Sequence, residues 1–217
     1  NDVAGSYDWY GGTLKCSAKQ LSSTPMSSPS LFERRQRKSI YWYNKSSDLV
    51  GSAAALWTCR DAELSSRIVT ETGLGDSFSL GIATPPVYKM LCGMAIELVL
   101  KAIVVEGGGV VNTKGHDLLR HWRSTSLPLA PAEEPLLRVL SHAVVWAGRY
   151  PTPKKNEDMD AYQEVVDEAL YDRVPLAAGS SACILRPNHA LNWEGFSALW
   201  RRASDHYWHL RSQHEPI

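Results

Sequence analysis

The sequence predicts an all-α fold, a helical bundle of about five helices around a buried central helix, and three observations lead there. Residues 86 to 106, PVYKMLCGMAIELVLKAIVVE, repeat apolar side chains at helical spacing through Val87, Met90, Leu91, Met94, Ala95, Leu98, Val99, Ala102 and Ile103. Ile96, Leu100 and Val104 make the remaining side apolar too, and a helix apolar all round has to be wrapped by others. Four further segments carry one-sided apolar periodicity, and no alternating β pattern competes convincingly with them.

Along the chain, residues 1 to 39 read as a poorly ordered extension, rich in Gly, Ser and Thr, with the run SSTPMSSPS at 22 to 30. The basic cluster ERRQRK at 33 to 38 reads as a solvated helix lead-in, with a phosphate contact as the other option. Leu49, Ala53, Leu56 and Trp57 share a stripe that predicts a first helix over 40 to 62. Residues 63 to 84 hold three glycines and read as a long connection, with Pro85 and Pro86 closing it. The central helix then runs to Gly107, Gly108 and Gly109, which suit a left-handed C-cap. Its length is near that of a membrane span, but Glu97, Lys101 and Gly93 inside it favour a buried core helix.

Beyond it, His116 or Asp117 caps a short helix at LLRHW. Leu136, Leu137, Leu140, Ala143, Val144 and Ala147 predict a helix over 132 to 148, stopped by Pro151 and Pro153. A fourth long helix uses Met159, Tyr162, Val165, Val166, Ala169 and Leu170, with Glu157, Asp158 and Asp160 at its positive end. Residues 175 to 191 read as loop with an extended piece at 182 to 185. Asn192 caps the last helix, whose Trp193, Phe196, Trp200, Ala203, Tyr207 and Leu210 form a continuous seam for the central helix or for a second subunit. The domain is set at 40 to 213, with a short tail at 214 to 217.

The chain has 217 residues and 23 residues of each charge sign, so no global field draws it to nucleic acid or an anionic membrane. Local arginine clusters can still bind RNA. Cys16, Cys59, Cys92 and Cys183 form no CxxC pair, which argues against a zinc ribbon or thioredoxin-type site and fits a reducing cytoplasm. Cys59 and Cys92 read as buried small hydrophobes within helices. Asn1 to Tyr10 has no basic segment followed by an apolar one, so no signal peptide is expected.

Arginine and histidine concentrate on the last helix, at Arg201, Arg202, His206 and His209, with Asp205 among them. Positions 202, 206 and 209 share a face. Arg201 and His206 lie five apart, about 140° round a straight helix, and meet only through distortion or a second subunit. An Arg beside a His is the pair that metal-free RNA cleavage needs, since His moves a proton near neutrality and Arg stabilises phosphate charge. The plainer reading is a wet helical face with Asp205 pairing an arginine. A metal at Asp205, His206 and His209 is disfavoured because the spacing is not HExxH, and no cofactor is indicated. GGGVVNTKG is a helix end and not a phosphate loop. No GxSxG or cysteine elbow is present. Glu97 and Lys101, at i and i+4, form an intrahelical pair or orient a group in a groove; His116, Asp117 and Arg149 are further groove or structural polar residues.

YWYNKSSDLVGSAAALW (41 to 57), GMAIELVLKAI (93 to 103), GHDL (115 to 118) and WAGRYPTP (146 to 153), taken in order, resemble the HEPN superfamily of all-α domains over about residues 40 to 213. The second block is similar to that family's Glu-x-x-x-Lys helix. The resemblance implies a metal-independent endoribonuclease, acting as a homodimer in a toxin or antiviral-defence setting, with an antitoxin or nucleotidyltransferase as partner. Its Arg, four to six residues, then His motif matches Arg201 to His206 and Arg202 to His209. Both depart from the commonest form, where Asn, Asp or His follows the Arg; here Arg202 and Ala203 do. The alternative it implies is a non-catalytic dimerisation or binding module for protein, nucleotide or RNA.

Overall fold

The computed structural model describes residues 28–59, 62–75, 77–111, 115–177 and 181–214. Most of the extension expected at 1 to 39, and three residues of the tail, lie outside these ranges. Helix α1 (Leu31–Arg37) begins with a reciprocal cap, in which the Ser30 hydroxyl accepts from the Glu33 N–H and the Glu33 carboxylate accepts from the Ser30 N–H. It buries nothing, as a solvated lead-in should. Helices α2 (Ser39–Thr58), α3 (Ala62–Thr72) and α4 (Leu80–Glu106) follow. A helix therefore occupies part of the expected connection at 63 to 84.

Helix α4 starts six residues earlier than its prolines suggest, and Pro85 and Pro86 lie inside it. They stand at its sixth and seventh positions, past the first turn, so neither donates to the carbonyl four residues back, at Gly81 and Ile82. Buried Leu80 and Thr84 anchor the extra turn. At the other end the left-handed residue is Gly108, with φ of 78°. The N–H groups of Gly108 and Gly109 donate to the carbonyls of Val105 and Val104, the paired bonds of a Schellman cap.

The remaining elements are α5 (Leu118–Arg123), a 3₁₀ turn (Pro131–Glu133), α6 (Glu134–His142), a π-helical turn (Ala143–Ala147), α7 (Asn156–Leu170), β1 (Tyr171–Pro175), β2 (Cys183–Pro187) and α8 (Trp193–His214). The strands pair antiparallel, Tyr171 opposite Pro187 and Pro175 opposite Cys183. The extended piece expected at 182 to 185 is thus one arm of a small hairpin, and the other arm falls where α7 ends. Apart from this hairpin the described chain is helical, turn or loop, so the fold is all-α.

Ala95, Ile96, Val99 and Ala102 of α4 have no exposed surface. Around them close Ala53 of α2, Leu118 and Trp122 of α5, Leu137 and Leu140 of α6, and Phe196, Ala203 and Tyr207 of α8. Each such large apolar side chain contributes about 1.5–3 kcal/mol by leaving water. The seam of α8 is spent here, against α4 and against Tyr43 of α2, which stacks on Tyr207 at 4.5 Å. Phe196, Ala203 and Tyr207 of the seam are buried in this core, and Trp193, Trp200 and Leu210 are partly buried beside it. Gly93 permits the close approach of α6, since a Cβ there would lie 2.6 Å from Val144 Cγ2 and 2.8 Å from the Leu140 carbonyl oxygen. Among the described residues no helix is long and apolar enough to cross a membrane.

Candidate functional site

Helix α8 is one uninterrupted α-helix of 22 residues. Its start is fixed by Asn192, whose side-chain oxygen accepts from the Gly195 N–H at 2.8 Å. With the apolar seam turned to the core, the Arg and His residues divide between two environments. Arg202 is half-buried and makes a two-pronged ion pair with Glu133, at 2.7 and 2.8 Å, while also donating to the Pro128 carbonyl and lying over the Trp122 ring. The hydrogen bond from Arg202 holds the Glu133 carboxyl below its ordinary value, against the opposing effect of burial. Arg202 therefore ties α8 to the α5–α6 connection. Arg201 is exposed, His206 half-buried and His209 exposed. His209 Nε2 lies 3.0 Å from the Gln213 amide, one turn on. No side-chain partner is recorded for Arg201 or His206 among the described residues, and the straight helix directs them apart.

A second polar group sits where α4 meets the approach to α5. Lys101 Nζ is 2.5 Å from one oxygen of Glu97, and His116 Nδ1 is 2.8 Å from the other. The Glu97 and Lys101 side chains are 7% and 9% exposed, whereas His116 is 46% exposed. Burial pushes the Glu97 carboxyl up, but hydrogen bonds from Lys101 and His116 and their charges outweigh it, and the net displacement is downward. Lys101 also faces the Trp42 ring at 5.8 Å. The expected intrahelical pair is present and buried, with His116 as a third member. Asp117 caps α5 by accepting from the Arg120 N–H at 3.0 Å.

No family model, curated protein or solved structure matches this chain. Beside the Glu97–Lys101–His116 group is a pocket of about 280 Å³ bordered by Lys101, Asp117, Arg120 and His121. On the other side of α5 an open cleft of about 990 Å³ lies between α5, α6, the π-turn and α7. Arg149, which the sequence marks as a groove or structural residue, donates to the Val145 carbonyl at 2.5 Å and so braces the π-turn. Among the described residues no group of three or more His, Cys, Asp or Glu is arranged to hold a metal ion.

The cleft residues Arg120, Arg123, Arg138, His142 and Trp146 were not singled out by sequence reasoning. Their signal was present, since Arg120 and Arg123 are three apart and Arg138 and His142 four apart, which puts each pair on one helix face. Reading these helices through their apolar periodicity alone passes over it. The π-turn, a feature often found at functional sites, has no sequence signature of its own.

Proposed function

We propose that this chain is a HEPN-like endoribonuclease that cuts RNA without a metal ion, using Arg201 and His206 in a site shared between two copies. The observation that supports this reading is the division of labour on α8: Arg202 is committed to Glu133 and His209 contacts Gln213, while Arg201 and His206 have no recorded partner among the described residues. Because one straight helix carries Arg201 and His206 about 140° apart, a working pair takes its Arg from one copy and its His from the other. His206 withdraws the proton of a ribose 2′-hydroxyl, the 2′-oxygen attacks the adjacent phosphorus, and the bond to the 5′-oxygen breaks. Arg201 holds the phosphate oxygens as negative charge builds on them. The 5′-oxygen leaves with a proton and the other fragment carries a 2′,3′-cyclic phosphate.

The test is cleavage of a mixed RNA pool by purified protein in EDTA, beside His206→Ala and His209→Ala. Cleavage that survives the chelator, leaves cyclic-phosphate ends and is lost in His206→Ala supports the reading. Cleavage abolished by EDTA sinks it.

A second reading, a non-catalytic binding module, is favoured by one observation, that the 202 side of the Arg/His face is built into the fold through Glu133. Under it His206→Ala changes nothing, and a folded wild type cuts no RNA.

A further inference from the structure

We propose that helix α1 is an interfacial anchor that seats this chain on a bilayer carrying anionic phospholipid. This does not rest on the ribonuclease reading, since neither Arg201 nor His206 takes part.

The first observation is charge. Arg34, Arg35, Arg37 and Lys38 stand within a few residues of one another beside one acid, Glu33, in a chain with equal numbers of each sign. All four cations are exposed. Glu33 is engaged at the cap, where its carboxylate accepts from the Ser30 N–H, and it lies one turn before Arg37. No side-chain partner is recorded for Arg34 or Lys38 among the described residues, and Arg35 lies over the Tyr41 ring at 5.8 Å. A neutral chain feels no long-range pull, but a local cluster acts within a Debye length, about 8 Å at physiological salt, and there an anionic leaflet attracts each Lys or Arg.

The second observation is that the outward side of α1 is apolar as well as basic. Leu31 and Phe32 are 55% and 72% exposed, and α1 buries none of its residues. Gln36 is the half-buried position, and its carbonyl accepts from the Trp42 indole N–H at 3.1 Å, so that side of α1 is turned to α2. Leu31, Arg34 and Arg35, at i, i+3 and i+4, share the opposite side, with Lys38 closing the helix and Phe32 at the edge. Basic residues beside Leu and Phe on one face are the composition of a helix that lies in the membrane interface, cations at the headgroups and apolar side chains below them. The reciprocal cap at Ser30 and the Trp42 contact hold this short helix formed beforehand, so less order has to be imposed on binding.

Two other occupants fit the face less well. A second copy would bring the same cations together, and they repel. RNA would meet the arginines but offers no apolar layer to take an exposed leucine, which the acyl boundary of a bilayer does.

The experiment is sedimentation of the full chain with vesicles of phosphatidylcholine alone and of phosphatidylcholine with about 30% phosphatidylserine. The chain sediments with the acidic vesicles and not with the neutral ones, and raising salt from about 0.1 M to about 0.5 M releases it. Arg34→Gln, Arg35→Gln and Lys38→Gln weaken binding about fivefold each and about a hundredfold together. Phe32→Ser weakens it about tenfold, which charge attraction alone does not predict. Arg173→Gln, on the exposed hairpin, leaves it unchanged. Because α1 buries nothing, these variants keep the wild-type unfolding midpoint. Failure to sediment with acidic vesicles, equal binding to neutral ones, or binding indifferent to the triple variant or to Phe32→Ser overturns the proposal. So does a chain that ignores both vesicles yet loses RNA binding in the triple variant, which assigns α1 to nucleic acid.

Discussion

Replacing Glu97 tests how the buried core of the polar group is held. Glu97 and Lys101 are nearly sealed from water and share one 2.5 Å contact, while His116 occupies the second Glu97 oxygen from a half-exposed position. Removing one member of a buried pair strands the other charge, which costs about 3–5 kcal/mol. In Glu97→Met the stranded group is Lys101, so the loss falls in that range. In Lys101→Met the carboxylate keeps its bond from His116, and the loss is smaller. The double variant, with both charges gone and the volume retained, lies within about 1 kcal/mol of wild type. With a urea slope of about 2 kcal/mol per molar, Glu97→Met lowers the unfolding midpoint by about 1.5–2.5 M.

The pH dependence follows in sign. The folded carboxyl sits below its unfolded value of about 4.3, so the folded state binds fewer protons there and Glu97 stabilises the fold above that pH. The contribution is lost as pH falls through the folded value, and the gap between wild type and Glu97→Met closes with it. A double variant as damaged as Glu97→Met, or a single loss below about 1 kcal/mol, would refute this account of the pair.

Three further outcomes follow. Gly93→Ala pushes a methyl against Val144 and the Leu140 carbonyl, and lowers stability by about 1–3 kcal/mol in thermal or urea unfolding. Arg202→Lys keeps the charge but loses the two-pronged grip on Glu133; unfolding measurements show a loss of about 1–2 kcal/mol for Arg202→Ala, only partly restored by Lys. The Cys92 thiol is fully buried and pushed well above its ordinary value, so in a thiol-labelling time course it reacts only at the unfolding rate, long after exposed Cys183.

The bundle was legible because α4 is apolar on every side and the helices around it are apolar on one. The periodicity that marks Phe196, Ala203 and Tyr207 is the same periodicity that buries them. Local rules failed where packing overrode them. Pro85 and Pro86 signal a break, yet Leu80 and Thr84 are buried and carry the helix past them. Helix α3 carries Leu64, Ile68 and Val69 on one side, but it is short and buries none of its residues, and Gly73, Gly75 and Gly81 just after it make the whole segment read as a connection. His116 joining Glu97 depends on a contact across 19 residues, which no local pattern encodes. Asp117 as cap and Glu97 with Lys101 as an i, i+4 pair are local, and both were readable. Arg120 and Arg123 lie on α5 and Arg138 on α6, and only the packing of α5 on α6 brings the two helices' arginines to one cleft.

The central functional claim is that α8 contributes Arg201 and His206 to a site built across two copies. Arg201→Ala and His206→Ala are each expected to cut no RNA alone. Mixed under conditions that exchange subunits, they form hybrid pairs in which one site has both residues and the other neither. With half the pairs hybrid and one working site in each, RNA cleavage in EDTA returns to about a quarter of the wild-type rate. No recovery on mixing, or a folded wild type that cuts no RNA, would contradict the account.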